Sequence, residues 1–248
     1  MQLEERTGPC PVCHDSGWVV QEEDGIETVR RCDCYLVKRR KQLLDSARIP
    51  FRYRHCLLDN FQIMPKGKQP PQPHSGRNQV SLGMVKEMAE KFVRQFPVVN
   101  EGFLFMGRCG VGKTHLAVAI ILELINRKGV PCIFYDFRDL LTEIKSTYNV
   151  HSSLSESAVL GPVLEKEVLV LDELGAQKVT EWMRDTLTYI INQRYSEKRI
   201  TIITSNWMDD AEDEEDTLTE RIGYRLRSRL YEMCQVLEIV GDDYRKRE

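Results

Sequence analysis

What the sequence lacks narrows its class first. It has no apolar run longer than the stretch 116–122, well short of the roughly 20 residues a helix needs to cross a bilayer. No apolar segment follows Met1, Gln2, Leu3, Glu4 and Glu5, so no secretory leader is read and the chain is expected in the cytoplasm. No internal repeat is read in it. Nor is the composition extreme: 42% hydrophobic and 29% charged residues exclude a disordered or fibrous chain. At 248 residues there is room for one large domain with an appendage, or for two small ones.

Charge and cysteine are unevenly placed. The stretch 30–54 holds nine Lys or Arg against Asp33 and Asp45, whereas 209–216 holds seven acids and no base. A basic block attracts phosphate backbones or acidic partners, with a plain solvated face as the alternative. Of the eight cysteines, four fall in the first 34 residues, as Cys10-Pro11-Val12-Cys13 and Cys32-Asp33-Cys34. An oxidising compartment would spread disulfides through the fold; two close pairs instead resemble the halves of a tetrahedral thiolate cage. The pattern predicts a structural zinc site on Cys10, Cys13, Cys32 and Cys34, with His14 as a replacement ligand; a redox pair or free thiols are the competing readings. Cys56, Cys109, Cys132 and Cys234 read as core hydrophobes or bystanders.

Periodicity divides the rest. Two short strands are expected near 18–21 and 27–31, around the turn signals Gly17, Asp24 and Gly25, and then an amphipathic helix over 35–47 with Lys38, Arg39, Arg40 and Lys41 outside. The stretch 65–77 has four prolines, two glycines and no aliphatic side chain, which reads as an extended loop. Val85, Met88, Ala89, Phe92, Val93 and Phe96 form a helical stripe. Beyond it, short apolar runs predict strands at 102–106, 131–135, 168–171, 200–204 and 236–240, separated by helices at 116–126, 138–148, 181–195 and 218–233. That alternation is a parallel α/β sheet. The reading is a zinc- and partner-binding module at 1–48, a linker at 49–79 and the α/β domain at 80–248.

The chemistry sits at strand ends. Gly107-Arg108-Cys109-Gly110-Val111-Gly112-Lys113-Thr114 matches a phosphate-binding loop between a strand and a helix. Its backbone N–H groups would cradle the phosphates of ATP, with Lys113 on the β and γ groups and Thr114 on magnesium. Asp172 and Glu173 follow an apolar strand, at the edge where ligands of such sheets bind. Two acids suit two roles, Asp172 holding magnesium through water and Glu173 polarising the attacking water. Thr204-Ser205-Asn206 ends a further strand, from which Asn206 could orient the same water; a helix cap or turn is the bland reading.

These motifs and their order resemble the AAA+ ATPases. Ile49-Pro50-Phe51-Arg52-Tyr53 before Asn60-Phe61, then Phe137-Arg138-Asp139-Leu140-Leu141, Leu171-Asp172-Glu173-Leu174-Gly175 and Ser228-Arg229-Leu230-Tyr231-Glu232-Met233, are similar to the DnaC/DnaI helicase loaders and their IstB-type transposition relatives. The resemblance implies a five-stranded parallel sheet sandwiched by helices, little of the usual helical lid after Val240, and nucleotide bound between subunits of a ring or spiral. It adds His115 to the nucleotide site, makes Arg229, with Arg225 in reserve, the arginine that reaches a neighbour's nucleotide, and likens Tyr244-Arg245 to a terminal sensor arginine. It implies an ATPase that loads the replicative helicase onto single-stranded DNA. Arg138, Lys145 and Tyr148 lie where such proteins carry DNA-facing helices. A transposition helper acting on duplex DNA and a nucleotide-switch adaptor that barely hydrolyses are the alternatives.

Overall fold

The computed structural model describes residues 8–23, 25–63, 79–148, 155–209 and 216–246. The expected loop at 65–77, the turn residue Asp24 and most of the acidic stretch 209–216 lie outside them. Strands β1 (Trp18–Glu23) and β2 (Ile26–Arg31) form an antiparallel hairpin, followed by helix α1 (Asp33–Ser46). The remainder is a parallel sheet of six strands: β3 (Gln79–Val80), β4 (Gly102–Met106), β5 (Cys132–Asp136), β6 (Val168–Asp172), β7 (Ile200–Ser205) and β8 (Cys234–Ile239). Their spatial order is β3-β8-β4-β7-β6-β5, which places the strands carrying the phosphate loop and the paired acids on either side of β7.

The pleat splits the apolar runs between two cores. Phe103, Phe105, Val168, Val170 and Ile202 face one, with helices α2 (Leu82–Gln95) and α3 (Lys113–Glu123). Leu104, Met106, Leu169, Leu171 and Ile203 face the other. That side is covered by α4 (Phe137–Ser146), α5 (Glu156–Glu165), α6 (Glu181–Ser196), α7 (Leu218–Ile222) and α8 (Tyr224–Met233). Burial on both faces is why these strands read as continuous apolar runs rather than alternating ones.

Several expectations need correction. The sheet has six strands, not five, because the two residues of β3 are too few to show a pattern yet add an edge beside β8. Helix α5 is not among the expected elements; Ser155 caps it by accepting from Ala158 N, and Pro162 is accommodated inside it. The single helix expected at 218–233 is two, broken where Gly223 takes φ +91. Helix α1 is less amphipathic than predicted, since none of its residues is fully buried; Leu36 and Val37 are exposed, and Leu43 and Leu44 pack only partly.

Within the stretch expected as a linker, Ile49, Cys56, Leu58 and Phe61 join the main core. Ala47 O accepts from Phe134 N at 2.8 Å, covering part of the exposed edge of β5. Among the described residues, no helix is long and apolar enough to cross a membrane.

Candidate functional site

The loop between β4 and α3 turns tightly around its glycines. Gly112 takes φ +100, and a Cβ there would lie 2.7 Å from the Phe61 ring, so both conformation and space require glycine. Gly110, at φ +83, packs so closely on Asp243 that a Cβ would meet Oδ1 at 1.7 Å, and its carbonyl accepts from Tyr244 N at 3.0 Å. The chain before α2 and the chain after β8 therefore grip the loop from two sides. Lys113 is buried and donates from Nζ to Gly107 O at 2.7 Å and Arg108 O at 2.8 Å. Burial pulls its pKa down to about 8; Cys109, Asp172 and Glu173 work the other way, and Arg245 adds to the pull.

Thr114, at the start of α3, donates from Oγ1 to Asp172 Oδ1 at 2.9 Å. The same oxygen accepts from Thr204 Oγ1 at 2.6 Å. Asp172 is buried, and burial pushes its carboxyl up to about 6 against the pull of the two hydroxyls. Glu173 takes φ +58, a left-handed conformation uncommon outside glycine. Its N–H donates to Thr204 Oγ1 at 2.9 Å, and its carboxylate accepts from Arg138 Nη2 at 3.0 Å. Arg138 stands in the first turn of α4, where Asp136 caps the helix by accepting from Arg138 N and Asp139 N. The arrangement offers a cation at the loop, a hydroxyl and a carboxylate that could share magnesium, and a second carboxylate at the mouth.

The other expected residues are placed as follows. His115 Nε2 lies 2.9 Å from Leu57 O and its ring meets Phe61 edge-on; burial lowers its pKa, favouring the neutral ring. Asn206 directly follows β7, at the same sheet edge as Glu173. Arg245 pairs with Asp243 at 3.1 Å, next to Gly110. Arg229, by contrast, contacts Glu232 at 2.7 Å and stacks over Tyr195 of α6, and neither is a loop residue. Arg225 is exposed. The sequence alone does not assign the roles of two residues: Thr204 reads only as a neighbour of Asn206, and Arg138 only as a cation on the helix expected to face DNA. The signal for Thr204 was a hydroxyl at the end of an otherwise Ile-rich buried strand.

The four early cysteines meet. Cys10 and Cys32 sulfurs lie 3.8 Å apart, Cys13 and Cys34 sulfurs 3.3 Å, and all four lie within 4.8 Å of one another. A tetrahedral ion with sulfur arms of about 2.3 Å sets its ligands about 3.8 Å apart, so the cluster fits zinc. Backbone N–H groups of Cys13 and Val12 lower the Cys10 thiol to about 6, whereas contact with Cys13 and burial push the Cys34 thiol up, so the four sulfurs do not all shift toward the thiolate. His14 is not part of the cluster; it occupies the turn at φ +48. Arg31 lies between Trp18 and Tyr35, 3.5 and 4.2 Å from the two ring centres, and ties the hairpin to α1.

The family model described as IstB-like ATP binding protein matches residues 83–248. The chain belongs to this family. It is 30% identical over 167 residues to the replicative helicase loader DnaC of Buchnera aphidicola, covering 67% of this chain and 61% of that protein. It is 25% identical over 234 residues to the phage-like element PBSX protein XkdC of Bacillus subtilis, covering 91% of this chain and 79% of that one. Among solved structures, a DnaC helicase loader superposes with TM-score 0.63 and 31% identity, over 77% of this chain and all of that chain. The fold is thus that of the AAA+ ATP-binding proteins of the DnaC/IstB type.

Proposed function

We propose that this chain is an ATP-hydrolysing loader that places a replicative DNA helicase on single-stranded DNA. The observation that supports the reading best is the convergence of Lys113, Thr114, Asp172 and Glu173 at one sheet edge, in a chain whose relatives include replicative helicase loaders. ATP would lie on the loop 107–114, its phosphates taking the place of the Gly107 and Arg108 carbonyls as partners of Lys113. Thr114 and Asp172 would hold magnesium, which would supply charge neutralisation for the phosphates.

Glu173 orients a water molecule for in-line attack. The new bond joins the water oxygen to the γ-phosphorus, the bond to the β–γ bridging oxygen breaks, and a water proton passes toward Glu173 Oε1 or Oε2. Asn206 steadies the water, Arg245 senses the nucleotide from the same chain, and Arg229 serves a neighbouring subunit in an oligomer.

In this reading the segment 1–48 is the module that grips the helicase. Zinc on Cys10, Cys13, Cys32 and Cys34 supplies its folding energy, and residues 80–248 form the ATPase. The test is a pull-down of the host's replicative helicase by the full chain, together with phosphate release with and without single-stranded DNA. Capture of the helicase and magnesium-dependent turnover support the reading. Capture of a transposase instead, or nucleotide binding without turnover, overturns it.

A further inference from the structure

We infer that Thr204 is a positioning residue which fixes both acids of the site through its single hydroxyl group. The inference rests on the ATPase reading above. Strand β7 lies between the strand of the phosphate loop and the strand of the acids. Residue pairing between β6 and β7 ends at Leu171 and Ile203. Beyond that point Thr204 takes over. Its carbonyl accepts from Leu174 N at 2.8 Å, and its Oγ1 accepts from Glu173 N at 2.9 Å and donates to Asp172 Oδ1 at 2.6 Å. Three consecutive residues, 172 to 174, are thus held by one.

Thr204 is 1% exposed, so bulk water cannot replace these bonds. The two bonds to the N–H groups of Glu173 and Leu174 hold the chain in the left-handed turn at Glu173, and the direction of the Glu173 side chain follows from that turn. Both hydroxyls on Asp172 use Oδ1, which leaves Oδ2 for the magnesium shell. Thr114 is the hydroxyl expected to turn to magnesium. Thr204 is then the donor that stays, the outer partner that orients a metal-binding carboxylate.

Thr204→Val keeps the branched shape and removes both side-chain bonds, whereas Thr204→Ser keeps the hydroxyl. Each full-length variant is titrated with a fluorescent ATP analogue, with and without magnesium chloride, and its turnover is measured. The expected result is unchanged magnesium-free binding in both. In Thr204→Val the magnesium concentration for half effect rises and kcat falls, by about 10- to 100-fold, and Thr204→Ser restores both. Wild-type magnesium dependence and kcat in Thr204→Val overturn the inference, and so does an equal loss of magnesium-free binding, which marks a general structural role. If Thr204→Val does not melt cooperatively, Thr204→Cys, similar in size and only a weak donor, takes its place with the same outcomes. A wild-type chain that binds nucleotide without turnover refutes the ATPase reading and leaves the magnesium titration to decide Thr204.

Discussion

Arg194 ties the end of α5 to the chain entering β6 and β7, and its replacement by methionine should destabilise the fold. It is fully buried, and no carboxylate pairs with it among the described residues. Its guanidinium donates to Val163 O at 2.7 Å, Lys166 O at 3.0 Å, Glu167 O at 3.4 Å, Ile200 O at 2.5 Å and Thr201 Oγ1 at 3.0 Å. Val163 and Lys166 lie at the C-terminal end of α5, where carbonyls have no partner inside the helix and a cation offsets the helix dipole. Methionine fills most of the volume, so the cavity contribution is small and the loss is that of carbonyls left without a donor. At about 1–3 kcal/mol for each of the two helix-end carbonyls, the central value is about 4 kcal/mol. Relief from burying a charge works the other way, and the experiment weighs the two. For a chain of this size about 4 kcal/mol lowers Tm by about 8–16 °C. Thermal unfolding followed by circular dichroism reads the shift. These contacts lie before β6 and at the start of β7, whereas the phosphate loop follows the end of β4, so magnesium-ATP should raise Tm equally in wild type and Arg194→Met. A shift below about 3 °C would mean that relief of the buried charge cancels the lost bonds, and would refute the reasoning.

The nucleotide site makes two demands: Lys113→Ala should abolish binding of a fluorescent ATP analogue, and Glu173→Gln should bind as wild type but release no phosphate. Arg138 and Glu173 are about half exposed, so their pair is worth about 0.2–1 kcal/mol; Arg138→Gln, which frees the carboxylate, should raise basal turnover about 1.4- to 5-fold, and high salt should do the same to wild type. A fall in turnover would instead make Arg138 an orienter of Glu173. Elemental analysis should find one zinc per chain, and Cys10→Ser should lose it, exposing 10–34 to rapid amide exchange while ATP still binds. Arg229→Ala and Lys113→Ala, each inactive alone, should recover turnover when mixed, because some interfaces then join an intact loop to an intact arginine; undiminished turnover in Arg229→Ala would move that role to Arg225.

The sheet was legible because its strands are buried on both faces and therefore write themselves as apolar runs. The predicted strand at 102–106 matches β4, and those at 168–171 and 200–204 fall one residue short at the acid and the serine that end them. What escaped has a physical cause in each case. Two-residue β3 carries no period; it exists because Val80 and Ile239 meet across the sheet edge. Helix α5 contains the strongest breaker signal in that region, and it forms because Val159, Leu160 and Val163 pack into the second core, a tertiary gain that outweighs propensity. Gly223 splits the last helical stripe because the turn needs a positive φ, and one glycine in a helical pattern does not announce that by itself.

For the candidate site, the residues proposed to meet the nucleotide were readable and the residues that hold them were not. Lys113 and Thr114 lie within one local motif, and Asp172 with Glu173 end one strand, so spacing alone exposes them. Thr204 lies 32 and 31 positions from the acids it binds, and Arg138 lies 35 from Glu173; only the strand order brings them together. The two holders also differ in kind. Thr204 is sealed from water, where a bond lost is not replaced and an unsatisfied group costs about 1–3 kcal/mol. Arg138 is half in solvent, where the pair is worth at most about 1 kcal/mol and any anion competes for it. The buried contact therefore sets the geometry of the acids, while the exposed pair adds little to it.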